Sequence, residues 1–256
     1  MERIGKVDLN GKVAVVTGGG TGVGRAIVLQ LARLGADVAV NYSKSKDEAE
    51  ATAKDVQGCG VRALAVQADV ADESQVQQMV EQVRQQLGPI EILVNNAAFT
   101  RFTDLSNLNA LSQQDWDRTF EVNVNGTLFC TRSVAPMMKA RGWGRIVNIS
   151  SVAAYTGAGS SIAYCASKAA ILSLTRSFAK VLGPEITVNA IAPGLIETRW
   201  VSGMKRLDEF RERWKKDTAL GKVLTPDDVA EAAVSCIASM SLVTGQTIIV
   251  DGGWRM

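Results

Sequence analysis

The sequence predicts a single α/β domain, a doubly wound parallel sheet of seven strands with helices on both faces. Short runs rich in β-branched and apolar residues alternate with helically periodic segments from end to end, and this alternation is typical of such a sheet. The runs are apolar on both sides, as strands covered by two helical layers require. The length of 256 residues, with no internal repeat or low-complexity linker, fits one domain.

The elements follow in regular order. The predicted strands cover residues 12–17, 37–42, 61–68, 90–95, 145–150, 186–191 and 247–250. The predicted helices cover residues 23–34, 46–57, 73–87, 113–140, 161–182 and 226–239, the last with a typical start at Thr225-Pro226-Asp227-Asp228. Because ligands of such sheets bind beyond the carboxyl ends of the strands, we expect function after strands one, four, five and six.

One segment interrupts the alternation. Residues 199–221 are rich in charge and carry Trp200, Met204 and Trp214. We expect this segment to form a lid over the substrate and not a second domain.

Composition excludes several classes of function. The formal charge is +2, and there is no basic tract, so nucleic acid is not an expected partner. No apolar run reaches the length of a membrane span, and we expect a cytoplasmic protein with no membrane partner. Its four cysteines are scattered without metal-ligand spacing, which suits a reducing compartment. The chain has no histidine, which excludes serine–histidine–aspartate and cysteine–histidine catalysis and argues against a zinc site; we expect no metal.

A glycine-rich loop follows the first predicted strand. It reads Thr17-Gly18-Gly19-Gly20-Thr21-Gly22-Val23-Gly24 and precedes an amphipathic helix. Glycines let backbone N–H groups approach a pyrophosphate at the positive end of a helix. The spacing misses the generic G-x-G-x-x-G pattern, so a ligand-free tight turn is the alternative.

The end of the second strand indicates which nucleotide is bound. An acidic residue about 20 positions after the loop is typical of NAD-binding proteins, but Tyr42 stands there, followed by Ser43 and Lys44. A 2′-phosphate is repelled by a carboxylate and attracted by a hydroxyl and an amine. The sequence therefore favours NADP(H), with NAD(H) as the alternative.

Tyr164 and Lys168 lie four residues apart on a predicted helix, so their side chains are neighbours. An ammonium roughly 4 Å from a phenol favours the phenolate by about 4 kcal/mol at an effective dielectric of 20, or about three pKa units. The pair therefore predicts a lowered tyrosine pKa suited to acid–base catalysis. The alternative is a ring packed on the core beside a solvated amine.

Four separated motifs occur in one order. They are the glycine loop, Asn95-Asn96-Ala97-Ala98, Ser151 ahead of Tyr164-x3-Lys168, and Pro193-Gly194. With this set the chain resembles the short-chain dehydrogenase/reductase family over residues 10–254, most of all its 3-oxoacyl-carrier-protein reductase and glucose dehydrogenase-like branch. The resemblance implies a Rossmann fold and an NAD(P)-dependent oxidoreductase without a metal. Ala98 departs from the family, which most often has glycine there.

The resemblance also implies roles for the site residues. Tyr164 is expected to give its proton to the carbonyl oxygen, and Lys168 to hold the nicotinamide ribose and lower the tyrosine pKa. Ser151 is expected to hydrogen-bond the substrate oxygen, while Ser150 is expected to be structural. Asn123 matches the helix residue that supports a water leading from Lys168 to solvent, with Asn125 as its rival and local backbone bonding as the alternative.

The remaining implied contacts are with cofactor and substrate. The cofactor set comprises Gly18, Gly20, Thr21, Gly22, Val23, Gly24, Tyr42, Ser43, Lys44, Asp69, Val70, Asn96, Ala97, Tyr164, Lys168, Pro193, Gly194, Ile196 and Thr198. Asp69 has an alternative role as a helix cap, and Asn95 is expected to tie strands together. The candidate substrate walls are Ser151, Phe99, Phe102, Tyr155, Leu195, Trp200, Met204 and Trp214, which favour a hydrophobic or ring-bearing carbonyl compound.

The sequence thus predicts an NADP(H)-dependent enzyme that reversibly reduces a small-molecule carbonyl compound to its alcohol. An NAD(P)-dependent sugar or secondary-alcohol dehydrogenase is one alternative. A catalytically idle nucleotide-binding scaffold is another, although Ser151, Tyr164 and Lys168 are all present. The resemblance further implies a homotetramer built through the helices near 113–140 and 161–182.

Overall fold

The computed structural model describes residues 7–198 and 207–254. These residues form one seven-stranded sheet in which every strand pair is parallel, in the order β3-β2-β1-β4-β5-β6-β7. The strands are β1 (Val13–Val16), β2 (Asp37–Tyr42), β3 (Ala63–Gln67), β4 (Ile90–Asn95), β5 (Gly144–Ile149), β6 (Ile186–Pro193) and β7 (Thr247–Val250). The predicted fold class is confirmed, with strand ends displaced by at most two residues.

Helices cover both faces of the sheet. They are α1 (Gly22–Arg33), α2 (Lys46–Gln57), α3 (Glu73–Gln86), α4 (Gln113–Phe120), α5 (Gly126–Ala140), α6 (Ala153–Thr156), α7 (Ile162–Leu182), α8 (Leu207–Asp217) and α9 (Pro226–Ala238). Alternate residues of β1 point to opposite layers: Ala14 and Val16 pack with α1 and α9, whereas Val13 and Val15 pack with α3 and α5. This alternation gives the molecule two apolar cores, one on each side of the sheet.

Besides α8, which was not among the predicted helices, two helical features differ from the sequence prediction. The segment predicted as one helix over 113–140 contains a π-helical turn at Glu121–Asn125, between α4 and α5. The short helix α6 was not predicted, because its four residues are too few to show helical periodicity. The predicted start at Thr225 is confirmed by a capping box, in which Thr225 N donates to Asp228 Oδ2 at 2.7 Å and Asp228 N donates to Thr225 Oγ1 at 3.3 Å.

The strand order places the change of winding direction between β1 and β4. The glycine loop after β1 and the Asn95–Asn96 segment after β4 therefore meet at the carboxyl edge of the sheet, as the general rule for such sheets requires.

The interrupting segment at 199–221 contains helix α8. Trp200 and Met204 lie outside the described residues. Among the helices that the structure describes, none is long and apolar enough to cross a membrane.

Candidate active site

A single cleft of about 1220 Å³ runs along the carboxyl edge of the sheet and collects most of the predicted site. Ser151, Tyr164 and Lys168 line it, together with every predicted cofactor residue except Gly24, which lies behind the loop. Phe99, Phe102, Leu195 and Trp214 line it as well. Tyr155, a predicted substrate-wall residue, is exposed and does not line the cleft.

Backbone geometry explains why the loop after β1 needs glycine. Gly18 and Gly22 have φ of +61° and +54°, in the left-handed region that favours glycine. A Cβ on Gly24 would lie 2.3 Å from the carbonyl oxygen of Gly18, so the first turn of α1 packs directly on the loop. Since that first turn carries no acidic side chain, its N–H groups and positive dipole fit the pyrophosphate of a dinucleotide.

Polar side chains hold this loop from two neighbouring strands. Thr17 Oγ1 accepts from the backbone N–H of Asn96 at 2.9 Å and of Ala97 at 3.0 Å, and Asn96 Nδ2 donates to the carbonyls of Thr17 and Gly18 at 2.9 and 3.1 Å. Asn96 thus fixes the glycine loop and also lines the cleft.

From the other side, buried Asn41 on β2 accepts from Gly18 N at 3.3 Å and donates to Ala68 O at 3.1 Å. Sequence reasoning did not single out Asn41, since an asparagine inside an apolar strand carries no motif.

The end of β2 presents Tyr42, Ser43 and Lys44 to the cleft. Tyr42 is buried, while Ser43 and Lys44 are exposed. The carboxylate of Asp37 is held by Arg62 at 2.7 Å at the start of the strand, away from this end. The strand end therefore offers a hydroxyl and an amine to a ligand, and no carboxylate.

Asp69 lies at the end of β3 and lines the cleft, and it does not cap helix α3. That cap is Asp72, whose carboxylate accepts from the N–H groups of Ser74 and Gln75. Asp69 instead pairs with Arg118 at 2.6 Å and accepts from Ala71 N at 3.1 Å. Arg118, on α4, also lines the cleft. It was missed because its partner lies 49 residues away in the chain.

Helix α7 carries two of the predicted catalytic side chains, Tyr164 and Lys168. Ser161 caps its start by accepting from Tyr164 N at 3.1 Å, which fixes the first turn. Lys168, one turn later, places its Nζ 5.5 Å from the centre of the Tyr164 ring and donates to the carbonyl of Ile149 at 2.7 Å. Tyr164 and Ser151 are joined by a side-chain hydrogen bond. The three predicted groups therefore converge at the end of β5.

Burial sets the pKa values of this pair in the protein chain by itself. It raises the pKa of Tyr164 to about 12, against a smaller lowering by the hydrogen bond with Ser151. It lowers the pKa of Lys168 to about 7. The predicted lowering of the tyrosine pKa is thus wrong for the protein alone, because a buried amine with a lowered pKa does not supply a full positive charge.

Asn123 lies in the π-helical turn, and both polar atoms of its side chain are hydrogen-bonded to other residues of the protein. Its Oδ1 accepts from Phe99 N at 2.7 Å, and its Nδ2 donates to Phe99 O at 3.1 Å and to Ser167 Oγ at 2.9 Å. Its carbonyl accepts from Thr127 Oγ1 at 2.8 Å. Asn123 thus ties the segment after β4 to helix α7, and it does not line the cleft.

Two other polar residues have structural roles, as predicted. Ser150 Oγ donates to the carbonyl of Lys168 at 2.9 Å. Asn95 Nδ2 donates to Asn148 Oδ1 at 2.9 Å, which links β4 to β5, and Asn148 Nδ2 continues the chain to Thr175 on α7. These buried bonds fix the ends of β4 and β5 and helix α7 relative to one another.

The substrate end of the cleft is apolar. Val152, Leu195 and Trp214 form a small buried cluster, against which Trp254 packs. Trp254 lines the cleft but was missed by sequence reasoning, since it stands in the last residues of the chain without a motif. Within the described ranges no group of three or more histidine, cysteine, aspartate or glutamate side chains could hold a metal ion.

Comparison with known proteins gives consistent matches. The family model described as enoyl-(acyl carrier protein) reductase matches residues 18–255. The 3-oxoacyl-(acyl-carrier-protein) reductase FabG of Staphylococcus aureus is 39% identical over 248 residues, covering 96% of this chain and 98% of that protein. The FabG of Aquifex aeolicus is 36% identical over 252 residues, covering 97% and 99%. A solved short-chain type dehydrogenase/reductase from Mycobacterium marinum has a TM-score of 0.86 at 31% identity, covering 97% of each chain.

Proposed function

The chain belongs to the short-chain dehydrogenase/reductase family, and from that premise we propose that it uses NADP(H) to reduce a small-molecule ketone or aldehyde reversibly to the alcohol. The enzyme is an oxidoreductase that acts on CH–OH and C=O groups. The observation that carries the proposal is the convergence of Ser151, Tyr164 and Lys168 in the cleft that also holds the glycine loop.

The residues fit a dinucleotide along the whole cleft. The N–H groups of the glycine loop and of the start of α1 would hold the pyrophosphate. Asp69 and Val70 would flank the adenine, and Asn96, Ala97 and Lys168 would line the nicotinamide ribose. The segment after β6, with Pro193, Gly194, Ile196 and Thr198, would contact the nicotinamide end.

A bound nicotinamide cofactor supplies the hydride that goes to the carbonyl carbon. Tyr164 donates its phenolic proton to the carbonyl oxygen, and Ser151 Oγ donates a hydrogen bond to the same oxygen as negative charge develops there. Lys168 stabilises the resulting phenolate when its amine is protonated. Asn123 acts through its bonds to Phe99 and Ser167 as a positioning residue for helix α7.

The choice of NADP(H) is supported by the end of β2. Ser43 and Lys44 are exposed there, and no carboxylate accompanies them. A hydroxyl and an amine can bind a 2′-phosphate, whereas an NAD-binding site of this type carries an acidic residue at this place.

We also propose that the chain works as a single domain. Helix α8, which lies within the predicted lid, would cover the substrate, because it brings Trp214 to the cleft beside Leu195.

A substrate panel with Tyr164→Phe tests the proposal. Ketones, 3-oxoacyl thioesters, enoyl thioesters and sugars are assayed with both reduced and both oxidised cofactors. We expect ketone-dependent loss of NADPH absorbance, and a kcat lowered by about 10²–10⁴-fold in the variant with nearly unchanged cofactor affinity. Tyr155→Phe is the matched control, because Tyr155 is exposed and outside the cleft.

The outcomes separate the alternatives. Turnover confined to sugars or secondary alcohols with oxidised cofactor would support the dehydrogenase alternative. Cofactor binding without turnover on any member of the panel would support an idle nucleotide-binding protein. Full activity of Tyr164→Phe would remove the proposed acid.

A further inference from the structure

Two tryptophans from distant parts of the chain form one wall of the cleft. Trp214 comes from α8 and Trp254 from the segment after β7, and their rings stack with centroids 4.4 Å apart and planes at 23°. Trp214 is 6% exposed, whereas Trp254 is half-buried. Both line the cleft that holds Ser151 and Tyr164.

The backbone holds both rings in place. A Cβ on Gly194 would lie 2.7 Å from Trp214 Cζ2, so the indole fits closely against the chain after β6. Gly252 and Gly253 turn the chain after β7 with φ of +68° and +81°. Leu220 N then donates to Gly252 O at 2.9 Å, which ties the C-terminal segment to the end of the proposed lid. The wall is therefore preorganised, and a ligand that uses it loses little affinity to ordering.

Further aromatic surface comes from the segment after β4. Phe99 and Phe102 line the same cleft, and Phe102 is exposed. Aromatic side chains bind planar rings by offset or edge-to-face contact more strongly than their buried area alone accounts for. A flexible aliphatic chain gains only the burial of its area and loses more conformational freedom.

The charge of helix α8 does not favour an acidic carrier protein. Helix α8 carries four acidic and four basic residues. Arg211 pairs with Asp208, Lys215 with Glu212 and Arg213 with Asp217, at 3.1, 2.8 and 3.5 Å. Most of the positive charge of α8 is thus neutralised by acidic side chains of the same helix.

We infer that the substrate is a free carbonyl compound with a planar ring, bound against the Trp214–Trp254 wall, and that Trp254 determines this specificity. The inference rests on the proposed carbonyl reduction and names its substrate class. It assigns a role in substrate recognition to the C-terminal segment.

The test compares Trp254→Leu with Trp254→Phe. The first keeps apolar volume without a ring, and the second keeps a ring. The substrates are acetophenone and octan-2-one, methyl ketones of equal carbon number, together with a 3-oxoacyl thioester. Trp254→Leu should lower kcat/KM for acetophenone roughly 2- to 10-fold while leaving that for octan-2-one nearly unchanged. Trp254→Phe should retain most of the acetophenone activity.

The control is Trp143→Phe, because Trp143 lies outside the cleft between Lys12 and Arg145. Saturation-transfer NMR on the protein without cofactor gives a second measurement. Acetophenone ring protons should receive saturation in the wild-type protein and much less in Trp254→Leu.

Equal losses for both ketones in Trp254→Leu, or no loss for either, would overturn the inference and leave the proposed reduction standing. A preference of the wild-type enzyme for the thioester over acetophenone would also overturn it. If no ketone is reduced, the proposed function fails, and the NMR measurement alone then decides whether the wall binds rings.

Discussion

Replacing Lys168 by methionine should stabilise the protein without cofactor near neutral pH. The fold holds the pKa of this amine at about 7, compared with 10.5 for a lysine in water. The unfolded chain therefore binds the proton more tightly between those two values. At pH 7 the lowered pKa costs about 4 kcal/mol of folding free energy, and at pH 9 the cost falls to about 2 kcal/mol.

The substitution also removes a favourable contact. Lys168 Nζ donates to the carbonyl of Ile149 at 2.7 Å, and leaving that buried carbonyl without this donor costs about 1–3 kcal/mol. We therefore expect Lys168→Met to be more stable than the wild-type protein by about 1–3 kcal/mol at pH 7, with the difference close to zero at pH 9. The amine proposed to act in catalysis would then lower the stability of the protein.

Urea unfolding of both proteins at pH 6, 7, 8 and 9 measures the difference. Because folding lowers the pKa of Lys168, the folded wild-type protein loses stability as the pH falls from 10.5 to 7. The wild-type protein should therefore gain stability relative to the variant as the pH rises. Lys180→Met is the control, since Lys180 is exposed on the same helix. A Lys168→Met protein that is less stable by a constant amount at every pH would refute the reasoning.

Two further predictions concern the cofactor and the assembly. Tyr42→Asp should lower the preference for NADPH over NADH in kcat/KM by about tenfold, or about 1.4 kcal/mol, because a carboxylate at the end of β2 repels a 2′-phosphate. An unchanged ratio of the two kcat/KM values would mean that this strand end does not set the preference. The protein should elute as a tetramer in size-exclusion chromatography with light scattering. Ile162 and Val181 on α7 are exposed apolar residues, and an interface through the long helices would cover them. A monomer at micromolar concentration would contradict this assembly.

Most of the fold followed from local patterns in the sequence. Apolar β-branched runs predicted all seven strands, and the rule that ligands bind at the carboxyl edge of the sheet predicted that Ser151 and Pro193 share one cleft. Spacing along a helix likewise brought Tyr164 and Lys168 together. These features depend on short-range periodicity, which a sequence displays directly.

The features that the sequence did not predict depend on contacts between residues that are far apart in the chain. The pKa shifts of Tyr164 and Lys168 depend on burial by elements far away in the chain. The pairing of Arg118 with Asp69 joins α4 to the end of β3, and Trp254 reaches the cleft only because the chain turns after β7. Asn123 matched a family motif, but its hydrogen-bond partners depend on the π-helical turn, which was not predicted.

The strand order has a consequence for how this enzyme can diversify. Tyr42 ends β2, whereas Ser151 follows β5 and Trp254 follows β7, so β1 and β4 stand between the first and the others. Replacements at sites that share no contact change free energy independently. Replacements at the end of β2 and replacements beside Trp254 can therefore accumulate separately, and neither set needs to change Tyr164.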